Sequence, residues 1–191
     1  MHLSRKCATI LLVALPLSVQ ADQTAQARGL ASQMIQQLGA ALKKELATNG
    51  PDGAVSVCRD LAPTIAGELS RKSGGRVARV SLKTRNPLLG DPDTWEQQVL
   101  AEFDRRAGAG EKAESLEYSE MIDEPRGRYL RYMKALPVQP LCLTCHGIEE
   151  NIPINVRAKL ALEYPHDQAT GYSVGQVRGA VTIKQRVGTT Q

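Results

Sequence analysis

The run Cys142-Leu143-Thr144-Cys145-His146 constrains this chain more than any other segment. Two thiols a short turn apart, followed at once by an imidazole, have the form used to attach c-type haem. The spacing has a chemical reason. The thiols add across two vinyl groups on one edge of the porphyrin, and the adjacent histidine is swung under the iron as its proximal ligand. The motif therefore predicts one covalently bound haem c, with Cys142 and Cys145 as thioether donors and His146 as the proximal ligand. A thioredoxin-like CxxC would sit at a strand-to-helix junction in a βαβ pattern. Here Leu136-Pro137-Val138-Gln139-Pro140 precedes the motif instead. A structural zinc site needs four ligands, which Cys58, Cys142, Cys145 and one histidine supply in number, but a second paired motif is missing.

The start of the chain sets the compartment. Arg5 and Lys6 precede an apolar run from Ala8 to Val19 that exits through Val19-Gln20-Ala21, the layout of a secretory signal peptide over residues 1–21. Pro16 and the small-residue exit favour cleavage over a retained anchor. The run is shorter than the roughly 20 residues a membrane span needs, and nothing later approaches that length. Cys7 lies before the run, where a lipid-accepting cysteine would not be. The expectation is a periplasmic protein with one domain over residues 22–191. The whole chain is 42% hydrophobic and 23% charged, ordinary for one globular domain. Its net charge is +4, and two of the basic residues are in the leader, so the near-balanced remainder argues against a nucleic-acid binder. Past the leader the chain keeps Cys58, Cys142 and Cys145 with His146 and His166. An odd thiol count does not suit a pure disulfide scaffold.

Hydrophobic periodicity predicts an amphipathic helix from Thr24 to Thr48, with Leu30, Met34, Ile35, Leu38, Leu42 and Leu46 on one face, closed by Asn49-Gly50-Pro51. That face reads either as core packing or as the seam of a homodimer. Asp52 is a candidate cap for a second helix whose stripe of Ala54, Val57, Cys58, Leu61, Ile65 and Leu69 ends before Gly74-Gly75. A strand over Arg76–Lys83 and a turn-rich loop over Asn86–Asp93 follow, the strand's inward positions being Val77, Val80 and Leu82. Next come a helix from Thr94 to the Gly108-Ala109-Gly110 cluster and an antiparallel pair, Ser115–Asp123 and Arg128–Leu136, turning at Glu124–Gly127. After the motif, Ile154–Tyr164 reads as a helix. Tyr172–Val187 reads as a pair of segments broken at Gly175 or Gly179, with Ala180–Ile183 the final strand. Helices first, then a mainly antiparallel sheet, is an α+β order. It disfavours the all-helical cytochromes c, whose haem motif lies near the N-terminus.

Several separated motifs carry a resemblance: Ala54-Val55-Ser56-Val57-Cys58-Arg59-Asp60-Leu61-Ala62-Pro63, Arg85-Asn86-Pro87, Pro92-Asp93-Thr94-Trp95-Glu96, the haem motif with Gly147, Gly171-Tyr172, and Gly175 with Arg178-Gly179-Ala180. Together they resemble a family of small periplasmic c-type haem proteins, catalogued as a haem-binding domain of unknown function, whose fold resembles PAS sensor domains. The resemblance implies a PAS-like antiparallel sheet with N-terminal helices. It also implies axial ligation by His146 and, from the distal side, Cys58. The residues by themselves leave Cys58 open between a ligand and a small buried hydrophobe. Met34, Met121 and Met133 are other thioethers, read as packing, and His166 sits in a polar loop. Pro63 removes the donor that would bond the Arg59 carbonyl, so it bends or ends its helix turn. Arg59, Arg126, Arg128 and Arg131 are candidate partners for the haem propionates.

Thiolate ligation implies a low reduction potential, and a six-coordinate iron leaves no open site for oxygen or peroxide. No catalytic residue is assigned, because no nucleophile motif or phosphate-binding loop accompanies the haem motif. Two functions remain: a redox or small-ligand sensor in which Cys58 lets go on reduction, or a periplasmic electron carrier. Either needs an unidentified partner protein, since the chain carries no output domain.

Overall fold

A computed structural model describes residues 17–188. Most of the expected leader lies outside the described residues. The described residues open in α1, Leu17–Ser56, which is interrupted at Gly50 (φ 75°) and resumes from Pro51. The stop expected at Asn49-Gly50-Pro51 is thus a kink. Glycine takes the positive φ that other residues resist, and proline is tolerated in the first turn of the resumed helix.

The resumed helix then passes into a π-helical turn, Val57–Leu61, and on into α2, Ala62–Ser73. The Ala62 N–H donates to the Val57 carbonyl, five residues back. Pro63 explains why: it has no N–H for the Arg59 carbonyl and its ring crowds that oxygen, so the chain widens one turn. The extra residue shifts the helical phase. Ala54, Val57, Ile65 and Leu69 stay buried as expected, but Leu61 is thrown out to 39% exposure.

Strand β1, Arg76–Val80, is shorter than expected because Ser81 leaves the strand direction, its N–H bonding the Gly90 carbonyl at 3.1 Å. Leu82 therefore turns outward and is 43% exposed, against the expectation of burial. A short helix α3, Pro87–Gly90, stands in the turn-rich loop. Helix α4, Thr94–Gly108, opens on a reciprocal cap between Asp93 and Glu96. Strands β2, Glu117–Glu124, and β3, Gly127–Pro137, form the expected hairpin, with Glu124 opposite Gly127. The haem-type motif follows in α5, Leu143–His146, then α6, Ile154–Glu163, and β4, Val177–Arg186. The pair of segments expected from Tyr172 to Val187 is one strand, with Gly179 inside it rather than breaking it.

All strand pairs are antiparallel, in the order β1-β4-β3-β2. The fold is α+β, as expected. Alternation along β1 and β4 sends side chains to two covered faces. Val77, Tyr132, Val181 and Ile183 meet α1 and α2, whereas Val80, Met133, Ala135 and Ala180 meet α4 around Phe103. A third apolar cluster joins Val55 to Ile152, Val156, Leu160 and Tyr164, with Cys145 against it. It anchors the motif to the helix segment that carries Cys58.

Candidate functional site

The cysteine-histidine motif is fixed by backbone before any side chain is considered. The Gly147 N–H caps α5 on the Leu143 carbonyl at 2.9 Å. A Cβ on Gly147 would lie 2.6 Å from that same carbonyl oxygen, so only glycine fits there. Beyond it, the Gly171 N–H donates to the Gly147 carbonyl (2.7 Å) and the Tyr172 N–H to the His146 carbonyl (2.9 Å). The loop after α6 is thereby tied to the motif.

Arg85 completes the frame. Its Nε donates to Asp167 at 2.9 Å, and its Nη2 donates to the carbonyls of Cys145 (2.5 Å) and Ala169 (3.3 Å). Both members of the Arg85–Asp167 pair are buried, at 8% and 12% side-chain exposure. Asp167 in turn accepts from the Ala169 N–H at 2.7 Å. The carbonyl that this network holds, Ala169 O, lies 2.7 Å from His146 Nδ1.

That contact decides the imidazole's chemistry. Burial first, then the Arg178 and Arg85 charges, hold His146 well below its usual pKa, so the ring is neutral. With the Nδ1 proton on the Ala169 carbonyl, Nε2 keeps its lone pair for a metal. This is the outer-shell arrangement usual for a ligating histidine. The Arg178 guanidinium lies along the ring, its Nε 3.2 Å from Nδ1 and 3.5 Å from Nε2.

His146 and Cys58 line one cavity of about 470 Å³, within the range of small-molecule sites. Ala62, Pro63, Val77, Leu136 and Tyr164 give it apolar walls. Cys58 comes from the π-helical turn and is free and half-buried. Cys142 and Cys145 are also free, so the odd-thiol arithmetic is not resolved by a disulfide among the described residues. Burial pushes the Cys145 thiol up to about 11, and Cys142 accepts a weak bond from the Gln139 N–H at 3.3 Å.

The other sequence candidates separate. Met34 is buried but also reaches the cavity, Met121 packs on the first core, and Met133 is buried on the opposite face of the sheet. His166 is exposed in its loop. Among the described residues no three His, Cys, Asp or Glu side chains converge as metal ligands, so no zinc set is brought together. The all-antiparallel sheet has no βαβ unit to support a thioredoxin-like reading.

The four arginines suggested for propionates are elsewhere. Arg59 pairs with Asp60 and Glu163, Arg128 with Asp123, and Arg131 with Asp93 and Glu96, while Arg126 lies in the β2–β3 turn. The arginines that line the cavity are Arg76, Arg79, Arg85 and Arg178. Sequence reasoning passed over their roles. Arg85 and Arg178 did stand in the segments that carry the resemblance, which was the available signal.

A model of the Tll0287-like family matches residues 17–186, nearly all of the described chain. The chain belongs to the Tll0287-like family. The crystal structure of the cyanobacterial haem protein Tll0287 is similar to it at 26% identity and a TM-score of 0.61, covering 93% of this chain and 100% of that one. No curated protein matches the chain. The family match spans both halves of the cavity wall, from the π-helical turn with Cys58 to the motif with His146. Among the described residues no helix is long and apolar enough to cross a membrane.

Proposed function

We propose that this protein is a periplasmic c-type haem protein that senses redox state or a small ligand. One haem is attached through Cys142 and Cys145, with His146 as the proximal and Cys58 as the distal ligand. The observation that carries this reading is the convergence of Cys58 and His146, 88 residues apart in sequence, on the wall of one cavity, although Cys142 and Cys145 are not among the residues that line it. The residues fit the group: His146 is neutral with Nδ1 on a carbonyl, the cavity walls are apolar, and the charged side chains that line it are all arginines. The haem protein Tll0287 supports it as a relative. Export through a cleaved leader over residues 1–21 rests on the sequence pattern and on the need to attach such a haem outside the cytoplasm.

The haem, when bound, supplies a one-electron iron couple and a coordination site for small neutral ligands. The chain's own residues supply the switch. Arg85, Asp167 and Ala169 hold His146 in one orientation, so the proximal side is rigid. Cys58 sits in a widened turn, in which the Ala62 N–H reaches five residues back to the Val57 carbonyl. As a thiolate it favours ferric iron. Cys58 would hold the distal side of the group while it is oxidised and would release it when a partner protein supplies an electron. Its turn is the bistable element that a sensor needs.

The test compares absorption spectra of the ferric and ferrous protein, with and without carbon monoxide, for wild type and Cys58→Ala. Carbon monoxide binding by the reduced wild type, with a ferric spectrum that changes on substitution, supports the sensor. A wild-type iron that stays six-coordinate and refuses carbon monoxide in both oxidation states makes the protein an electron carrier. A protein made with a haem-maturation apparatus that gives no pyridine haemochrome is not a c-type haem protein at all.

A further inference from the structure

The cavity's charged lining is one-signed. Among the described residues, the charged side chains on its wall are four arginines, and no Asp or Glu lines it. Two of these cations are already matched: Arg76 bonds Glu96 at 2.7 Å and Arg85 bonds Asp167 at 2.9 Å. Arg79 and Arg178 have no carboxylate partner among the described residues. Two unmatched guanidinium groups on the wall of an otherwise apolar cavity call for an apolar ligand bearing two negative charges.

Both arginines are also held for that task. Arg178 Nη1 donates to Ser81 Oγ (2.7 Å) and to the Lys83 carbonyl (3.1 Å), which fixes the plane of the guanidinium while leaving Nη2 uncommitted. Ser81 is itself pinned, its hydroxyl 2.8 Å from the Arg178 carbonyl. Arg79 sits on the free edge of β1, which pairs only with β4. The Val77 N–H donates away from the sheet to Ser70 Oγ at 2.8 Å, and the Ser81 N–H to the Gly90 carbonyl at 3.1 Å. By the alternation of an antiparallel ladder, the N–H of Arg79, two residues on from Val77 in β1, points out along that same edge. No partner for it exists among the described backbone hydrogen bonds. Arg79 thus offers the cavity a side-chain cation and an edge N–H donor together.

We propose that Arg178 and Arg79 receive the two propionate carboxylates of the haem, one each. The inference rests on the haem reading above and deepens it. The carboxylates, not the iron ligands, then explain why the wall carries two unmatched cations. A guanidinium beside each carboxylate also raises the reduction potential relative to the unpaired carboxylate, since positive charge favours the ferrous state.

Because the thioethers hold the haem, the anchors can be removed without losing it. The test uses haem-loaded protein with Arg178→Gln, Arg178→Lys and Arg79→Gln, with Arg126→Gln in the β2–β3 turn as the control. A full pyridine haemochrome for the wild type is the first reading, and its absence sinks the haem reading rather than this one. With haem present, the propionate bending modes in the resonance Raman spectrum shift in Arg178→Gln and in Arg79→Gln. The reduction potential at fixed pH and ionic strength falls in both, and Arg178→Lys recovers part of the loss. The control matches wild type. If either glutamine variant retains wild-type propionate modes and potential, the proposal is wrong. Should Arg178→Gln fail to fold, Arg178→Lys decides for that site: shifted propionate modes support the assignment and unchanged modes refute it.

Discussion

Replacing Arg85 by methionine removes a side chain that bonds both the motif and the loop behind His146. The change strands Asp167, whose side chain is 12% exposed and whose only described cationic partner is Arg85. Breaking a buried ion pair by deleting one member costs about 3–5 kcal/mol, because the remaining charge has lost its compensation. The two carbonyls that Arg85 Nη2 serves, Cys145 O and Ala169 O, lose a charged donor as well. Hydrogen bonds to charged groups contribute about 1.5–3 kcal/mol each, but these share one guanidinium with the ion pair and do not add to it in full. The expected loss is therefore about 3–5 kcal/mol for Arg85→Met, measured by guanidinium denaturation of the haem-loaded protein. For a chain of this length each kcal/mol moves Tm by about 2–4 °C, giving a drop of about 6–20 °C. Arg85→Met with Asp167→Leu replaces the pair by apolar groups and should recover most of the loss, since buried pairs are often no better than hydrophobic replacements. The two measurements separate a stranded charge from lost packing. A loss under about 1 kcal/mol for Arg85→Met, or a double variant less stable than the single one, refutes the role given to Arg85 here.

Three further outcomes follow from other parts of the structure. Glu96 is fully buried and bonded to Thr182 Oγ1 and Arg76 at 2.7 Å each, with Arg131 Nη2 facing it at 3.1 Å off hydrogen-bond alignment. Glu96→Ala should cost about 3–5 kcal/mol in a denaturation series, and a near-neutral result would show that the α4 cap and its cations do not depend on this carboxylate. Gly147→Ala puts a Cβ 2.6 Å from the Leu143 carbonyl, so the α5 cap must open. Its haemochrome yield should fall well below that of wild type, and an equal yield contradicts the tight turn. In the haem-free chain the Cys145 thiol, pushed up to about 11 by burial, is about one part in a thousand thiolate at pH 8. Its iodoacetamide alkylation, followed by mass spectrometry, should rise about tenfold per pH unit until the pH nears 11, whereas rapid labelling at pH 8 would place Cys145 outside the apolar cluster.

Much of the fold was legible in the sequence because its signals are local. The start of α4 at Thr94 and the Glu124–Gly127 turn each rest on signals within a few residues, and each stands where the sequence puts it. The second helix shows where local reading stops. Cys58 and Pro63 were both visible, and a bent turn was expected from the missing donor. What the sequence did not reveal is that the chain would widen by one residue, which put Leu61 on the surface and broke the even stripe. Leu82 failed for a similar reason, since its strand ends at a hydrogen bond between Ser81 and Gly90 that alternation cannot report. The arginines were the largest miss. Arg85 reaches Cys145 across 60 residues and Arg178 reaches His146 across 32, and no spacing rule in one sequence selects them from the other arginines of the chain. Tertiary geometry gathers them, whereas Arg59, Arg128 and Arg131 are satisfied by carboxylates elsewhere and Arg126 lies in an exposed turn.

The central claim is that Cys58 and His146 hold one iron between them. Electron paramagnetic resonance of the ferric protein, wild type beside Cys58→Ala, tests it most directly. The account expects a low-spin signal of thiolate type in the wild type, replaced in Cys58→Ala by a high-spin or differently ligated species while the pyridine haemochrome stays unchanged. Identical ferric spectra from the two proteins, at equal haem content, would contradict it.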